Sequence, residues 1–179
     1  MTHQVIMAGF GGQGVMLMGT LLAYAGMLEG KFVSWIPSYG PEMRGGTANC
    51  MVVVSDVEVA SPVVTEPNCV IVMNRPSLDK FERVLVPGGL LIINSSLISK
   101  EAERKDIRVL RVPCNDEATA VGSAKVANMV ALGAYLAATG AVSIESVEKS
   151  LKKALPERRH DLIPMNMEAL RRGAAYLSE

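Results

Sequence analysis

The chain has 179 residues, enough for one domain with a sizeable core, and hydrophobic residues make up 49%, which excludes an intrinsically disordered chain. Lys+Arg and Asp+Glu number 18 each, so the net charge is zero. That balance offers no basic stripe for nucleic acid and no polybasic patch for a membrane surface, and a chain this apolar and neutral is expected to associate with partner subunits.

In chain order, residues 3–8 form a mostly apolar run that predicts a strand. A glycine turn follows, in which Gly9, Gly11 and Gly14 match G-x-G-x-x-G. Glycine tolerates positive φ there and lets a ligand approach the backbone. Free N–H groups at the start of the next helix favour an anion, usually a phosphate. That helix is expected over residues 12–29. It leaves no polar face, so it should be buried on more than one side, against the sheet and against another subunit. Gly30 suits the position that ends it.

Residues 31–36 predict a second strand. In a dinucleotide-binding unit its end carries an acid for the ribose hydroxyls. Here the end reads Ile36-Pro37-Ser38, without an acid, and Glu29 precedes the strand. This argues against NAD or FAD. Residues 37–47 are rich in Pro and Gly and read as a loop, carrying Ser38, Tyr39, Glu42, Arg44, Gly45 and Gly46. A surface ion pair between Glu42 and Arg44 would explain it blandly. Its glycines and its place after a strand favour function, near the Gly9–Gly14 turn.

Residues 47–55 and 57–59 flank Ser55-Asp56 and predict a β-hairpin, hence a mixed sheet. Further strands are expected over 69–73, 90–94 and 107–112. A helix is expected from Pro76 to Leu85, and a tight turn over 86–89. Asn115 or Asp116 can cap a helix through Val121, Ser123 a long one over 124–139 ending at Gly140, and Ser143 an amphipathic one through Leu155. Residues 163–177 complete the helical C-terminal part. The fold class is α/β: a layered, Rossmann-like domain over residues 1–179, with a mixed, mostly parallel sheet and one β-hairpin.

Cys50, Cys69 and Cys114 are scattered, each in or beside an apolar run, and read as reduced core residues of a cytoplasmic protein. With only two histidines, no metal-ligand spacing is available. The N-terminus enters a strand directly, which predicts no signal peptide, and no apolar run reads as a membrane span. His160, among Arg158, Arg159 and Asp161, reads as a solvated turn residue or a subunit contact.

The pair of loops, Gly9-Phe10-Gly11-Gly12-Gln13-Gly14 and then Ser38-Tyr39-Gly40-Pro41-Glu42-Met43-Arg44-Gly45-Gly46-Thr47-Ala48-Asn49, resembles the gamma subunit of 2-oxoacid:ferredoxin oxidoreductases. This is the family of the pyruvate, 2-oxoglutarate and ketoisovalerate oxidoreductases. The likeness extends to Leu85-Val86-Pro87-Gly88-Gly89 and Asn128-Met129-Val130-Ala131-Leu132-Gly133. It implies a complex that decarboxylates a 2-oxoacid, reduces ferredoxin and releases an acyl-CoA. Thiamine diphosphate and Mg would reside on alpha and beta chains, and iron–sulfur clusters on partner chains including a ferredoxin-like delta chain. No group would be tightly held by this chain. CoA is the candidate ligand, taken by the backbone N–H groups of Gly11, Gly12, Gln13 and Gly14 with Arg44 as counter-charge, and Gly9, Ser38, Tyr39, Glu42, Gly45 and Gly46 complete the expected binding residues. No residue is assigned a catalytic role. A stand-alone dinucleotide oxidoreductase, an S-adenosylmethionine methyltransferase suggested by residues 83–92, and a scaffold with an empty glycine turn are the competing readings.

Overall fold

The computed structural model describes residues 1–40 and 46–177. Six strands, β1 (Thr2–Phe10), β2 (Phe32–Tyr39), β3 (Thr47–Ser55), β4 (Cys69–Val72), β5 (Leu90–Asn94) and β6 (Arg108–Val112), form a sheet in the order β2-β3-β1-β4-β5-β6. β1, β4, β5 and β6 are parallel neighbours, whereas β3 runs antiparallel to both β1 and β2. β2 therefore points the same way as β1, and β3 alone opposes the rest.

Among the described residues six helices accompany the sheet: α1 (Val15–Leu28), α2 (Arg75–Phe81), α3 (Cys114–Val121), α4 (Ala127–Thr139), α5 (Ile144–Ala154) and α6 (Ile163–Ala175). Side chains alternate across each strand and split the core in two. Val5, Met7, Val52 and Ile71 join the apolar side chains of α1, α3, α4, α5 and α6 on one face. Ile6, Ala8, Val70 and Leu91 pack with Leu78 and Phe81 of α2, and with Leu85 and Ile98, on the other.

α1 needs no polar face because its neighbours are the sheet on one side and α5 on another. A Cβ at its Gly19 would meet Cys50 and Trp35, and one at Gly26 would meet Val33 and Val54, so these glycines let the helix lie close on β2 and β3. The far end of α1 is tied to the start of α5. Glu29 Oε1 accepts the Ser143 N–H at 2.7 Å, and Ser143 Oγ in turn accepts the Ser146 N–H at 3.1 Å. α4 ends at Gly140 in the left-handed region, φ 62°.

Several expectations are corrected. The hairpin does not join residues 47–55 to 57–59. β3 already has β2 on one edge and β1 on the other, so a further strand has nowhere to pair. The hairpin instead joins β2 to β3, with Trp35 opposite Val52 and Tyr39 opposite Ala48. β2 runs through Pro37, Ser38 and Tyr39, which are strand residues and not loop. Pro37 is tolerated because β2 is an edge strand and one side of its backbone needs no ladder partner. The helix expected from Pro76 to Leu85 starts at Arg75, capped by Asn74 Oδ1 accepting from Ser77 N at 2.9 Å. It then tightens to a 3-10 turn over Glu82–Val84. α3 starts at Cys114 without a local cap; its first N–H reaches Asn94 Oδ1 on β5 at 3.1 Å. Ser123 caps a 3-10 turn, Ala124–Val126, that leads into α4.

Candidate functional site

The glycine turn stands at the C-terminal end of β1, where open α/β sheets bind ligands. Its glycines do different work. Gly9 lies in β1 opposite Ala48, and a Cβ there would press on Gln13, Met73 and Val15. The Gly11 N–H donates to the Gly46 carbonyl at 2.9 Å, which ties the turn to the end of the loop between β2 and β3. The Gln13 N–H donates to the Phe10 carbonyl at 3.1 Å. The Gln13 side chain bridges strands: Oε1 accepts the Phe10 N–H at 2.6 Å and Nε2 donates to the Met73 carbonyl at 3.2 Å. Gly14 caps α1 with φ 73°, and its carbonyl accepts from Asn128 Nδ2 at 3.1 Å.

Gly12 is the exception. Its φ is 95°, and among the described residues a Cβ built on it meets nothing within 4 Å and its N–H has no acceptor. The Gly14 N–H is likewise without an acceptor among them. Of the four expected backbone donors, Gly12 and Gly14 are thus available, whereas Gly11 and Gln13 are internally satisfied.

Three cavities meet at Gly12. The first, about 350 Å³, is bordered by Gly14, Lys125, Asn128, Arg159 and Asn166, with Leu17 and Met165 as apolar wall. The second, about 190 Å³, touches Gln13, Met73, Asn115 and Lys125. The third, about 300 Å³, is bordered by Phe10, Met16, Leu17, Tyr39 and Ala48. A larger hollow of about 670 Å³ lies at the opposite end of the sheet, beside Thr2, Glu58, Glu66 and Asn68. It carries no cation and sits at the N-terminal ends of β1 and β4, so the glycine end is the better candidate.

The structure therefore brings Gly9, Gly11, Gly12, Gln13, Gly14, Tyr39 and Gly46 together. Ser38 is exposed on β2 and borders none of these cavities. Glu42, Arg44 and Gly45 lie outside the described residues. Sequence reading missed Lys125, Asn128, Arg159 and Asn166. They lie more than a hundred residues beyond the turn, and their sequence neighbourhoods read as a helix cap, a small-residue helix and a solvated charge run. His160 Nε2 lies 2.9 Å from the Leu155 carbonyl within the 3-10 segment Glu157–Leu162.

No thiol is available as a nucleophile. Burial pushes the Cys50 and Cys114 thiols up to about 12, and burial raises Cys69 as well. No cluster of metal-ligating side chains occurs among the described residues. The donors at Gly12 and Gly14, the open space over Gly12 and the two cations fit a phosphorylated ligand.

A pyruvate ferredoxin/flavodoxin oxidoreductase family match spans residues 4–176. The chain belongs to that family. It is 38% identical over 179 residues to the ketoisovalerate oxidoreductase subunit VorA of Methanothermobacter thermautotrophicus, covering 98% of this chain but only 36% of that protein. The chain thus spans about a third of the length of that curated relative. The keto/oxoacid ferredoxin oxidoreductase gamma subunit of Geobacter sulfurreducens superposes with a TM-score of 0.84 at 31% identity, covering 99% of both chains. The 2-oxoglutarate:ferredoxin oxidoreductase of Magnetococcus marinus, solved with 2-oxoglutarate, coenzyme A and succinyl-CoA bound, gives a TM-score of 0.90 at 21% identity. It covers 99% of this chain and 31% of that one, a likeness of fold. No described helix is long and apolar enough to cross a membrane.

Proposed function

We propose that this chain is the gamma-type component of a heteromeric 2-oxoacid:ferredoxin oxidoreductase. The complex would oxidatively decarboxylate a 2-oxoacid, pass the electrons to ferredoxin and form an acyl-CoA. In this reading the thiamine diphosphate, Mg and iron–sulfur clusters belong to alpha, beta and ferredoxin-like delta chains of a cytoplasmic assembly. This chain binds CoA at the glycine turn and closes the interface with the thiamine-binding chains. The resemblance of both loops, the family membership and the gamma subunit from Geobacter support it.

The observation that carries the ligand assignment is Gly12. Its N–H is unpaired and no atom stands over its α-carbon among the described residues, and cavities open on both sides of it. CoA carries the pyrophosphate that such a donor set favours. The cavities of about 350 and 300 Å³ lie within the range, about 300–1,000 Å³, of small-molecule sites. When bound, CoA supplies the thiol that accepts the acyl group. The chain's own residues contribute backbone donors, cations and a water-shedding wall.

The dinucleotide alternative is weakened by the sheet order. β3 stands between β1 and β2, so the end of β2 lies two strand spacings from β1, about 9–10 Å, and it bears no acid. For a methyltransferase, the acid expected just before the glycine loop is replaced by Met7-Ala8.

Calorimetric titration of CoA onto the purified chain and onto the complex tests the reading, with Gly12→Ala and Arg44→Ala beside the wild type. Micromolar binding that is weakened in Gly12→Ala, with folding retained in circular dichroism, is the expected result. Absence of CoA binding to both wild-type preparations would leave the scaffolding reading in its place.

A further inference from the structure

The two edges of the sheet differ in how they meet water. At β6, Arg108 and Arg111 stand on the edge strand, and the Arg111 guanidinium donates to the Ile98 and Lys100 carbonyls at 2.6 and 3.0 Å. Charged side chains of this kind keep an edge from pairing further. β2, the other edge, has no charged residue along its whole length. Its register fixes which backbone groups are free. The Gly40 N–H donates to the Thr47 carbonyl at 2.7 Å, and the same antiparallel register runs back to Phe32 opposite Ser55. The even-numbered residues therefore bond to β3, and the backbone groups of Val33, Trp35 and Pro37 point off the sheet. Among the described residues the N–H groups and carbonyls of Val33 and Trp35 have no partner. Beside this edge, α1 and β2 leave a groove of about 260 Å³ bordered by Tyr24, Met27, Val33 and Trp35, with no charged residue among its described lining. Met27 is 55% exposed and Trp35 37%. The Trp35 indole lies against α1, its Nε1 2.9 Å from where a Cβ at Gly19 would stand. Ser34 points to the face away from α1, and its Oγ is buried with no hydrogen-bond partner among the described residues.

We propose that the β2 edge docks a second copy of this chain, which adds its own β2 antiparallel about a two-fold axis at Ser34. That axis sets Val33 opposite Trp35 of the second copy, and Trp35 opposite its Val33. Each of these pairs exchanges two N–H···O bonds. The ladder stops at Pro37, which has no N–H and lies opposite Lys31, whose own N–H is already given to the Gly26 carbonyl. On the axis Ser34 faces its counterpart in a non-hydrogen-bonded pair, close enough for the two hydroxyls to bond. This supplies the partner that the buried Oγ lacks. On the α1 face the grooves of the two copies meet, and Tyr24, Met27 and Trp35 leave water. Pairing about a two-fold axis brings like groups together, so it requires an edge free of charge; β2 and its groove meet that condition and β6 does not. The inference goes beyond the functional reading above and is independent of CoA: a complex that contains it holds its gamma-type chains in pairs.

The purified full chain is followed by sedimentation velocity and by the emission of Trp35, its sole tryptophan, between about 1 and 100 μM. A reversible monomer–dimer equilibrium is expected, with the emission moving to shorter wavelength along the same isotherm. Ser34→Lys places two ammonium groups opposite each other on the axis and should raise the dimer dissociation constant about tenfold or more, with the circular dichroism spectrum retained. Ser34→Cys should oxidise to a disulfide-linked dimer, because a non-hydrogen-bonded pair holds its Cα atoms about 4.5 Å apart, within the range of about 4.4–6.8 Å that a disulfide spans. Ser38→Cys, about 27 Å from its counterpart in this register, should not. A chain that stays monomeric at about 100 μM would overturn the proposal and leave the edge to a different subunit. A dimer that Ser34→Lys leaves unchanged, or that crosslinks at Ser38→Cys as fast as at Ser34→Cys, would overturn it as well. None of these outcomes involves CoA, so the functional reading stands or fails separately.

Discussion

Gly133 of α4 and Gly173 of α6 face each other at a helix crossing that has no room for a side chain. A Cβ at Gly133 would overlap the Leu170 carbonyl oxygen, lie 2.8 Å from the Leu170 carbonyl carbon and 3.1 Å from the Ala174 nitrogen. A Cβ at Gly173 would overlap the Val130 carbonyl oxygen, 2.7 Å from its carbonyl carbon and 3.0 Å from its α-carbon. Carbon pairs prefer about 3.5–4.0 Å, so either alanine pushes the helices apart by about 1 Å. The neighbours are backbone atoms of two helices, and no rotamer change relieves them. Overpacking costs about 1–3 kcal/mol and sometimes more, and this crossing belongs at the upper end. Better helix propensity returns about 1 kcal/mol. A net loss of about 2 kcal/mol follows, which lowers Tm by about 4–8 °C in a domain of this size. Thermal and urea unfolding of Gly133→Ala, Gly173→Ala and the double variant measure it. The double variant should lose less than the sum, since one separation accommodates both methyl groups. A Tm equal to or above wild type in either single variant would mean that the crossing has room for a methyl group. The crossing also bears on the site, because Asn128 on α4 and Asn166 on α6 border the same cavity.

The three buried thiols should resist Ellman's reagent in the native chain at pH 8, with all three titrating in denaturant; rapid native reaction of any one would contradict their burial. His3, buried in β1, has its pKa lowered from 6.5, first by burial and then by Lys31 and the N-terminal amine, with Asp56 opposing. Its contribution to stability is therefore present above pH 6.5 and is lost as pH falls through the lowered native value. Urea midpoints measured from pH 7.5 to 5 should fall, and His3→Gln should flatten that fall; equal slopes in both proteins would count against it. Tyr135 buries its hydroxyl with no hydrogen-bond partner among the described residues, so Tyr135→Phe should be neutral or stabilising by about 1 kcal/mol in urea unfolding, and a clear loss would reveal a partner for the hydroxyl.

Much of the fold was legible because its signals are local. The glycine turn, the strand over Leu90–Asn94, the Ser143 cap, the stop at Gly140 and the proline-led start near Pro76 each depend on residues within a few positions of one another. The errors arose where a distant partner decided the outcome. Residues 57–59 alternate like a strand, but β3 has no free edge to offer them. Pro37 reads as a loop until β2 is known to lie at the edge. The first N–H of α3 is held by Asn94, 20 residues upstream on another strand. The candidate site divides in the same way. The turn is visible as a motif, and of the loop expected beside it Tyr39 borders the same cavity and Gly46 bonds to Gly11, while Arg44 lies outside the described residues. Lys125, Arg159 and Asn166 border one cavity with Gly12 because the turn before α4, the segment before α6 and α6 itself meet there, which no spacing in the sequence records.

Anaerobic affinity purification of the tagged chain from its native host, with mass-spectrometric identification of what accompanies it, decides whether it works as a gamma-type component. Stoichiometric thiamine-binding chains and a chain bearing iron–sulfur clusters are the expected result. A homogeneous monomer or homodimer carrying a bound dinucleotide would contradict it.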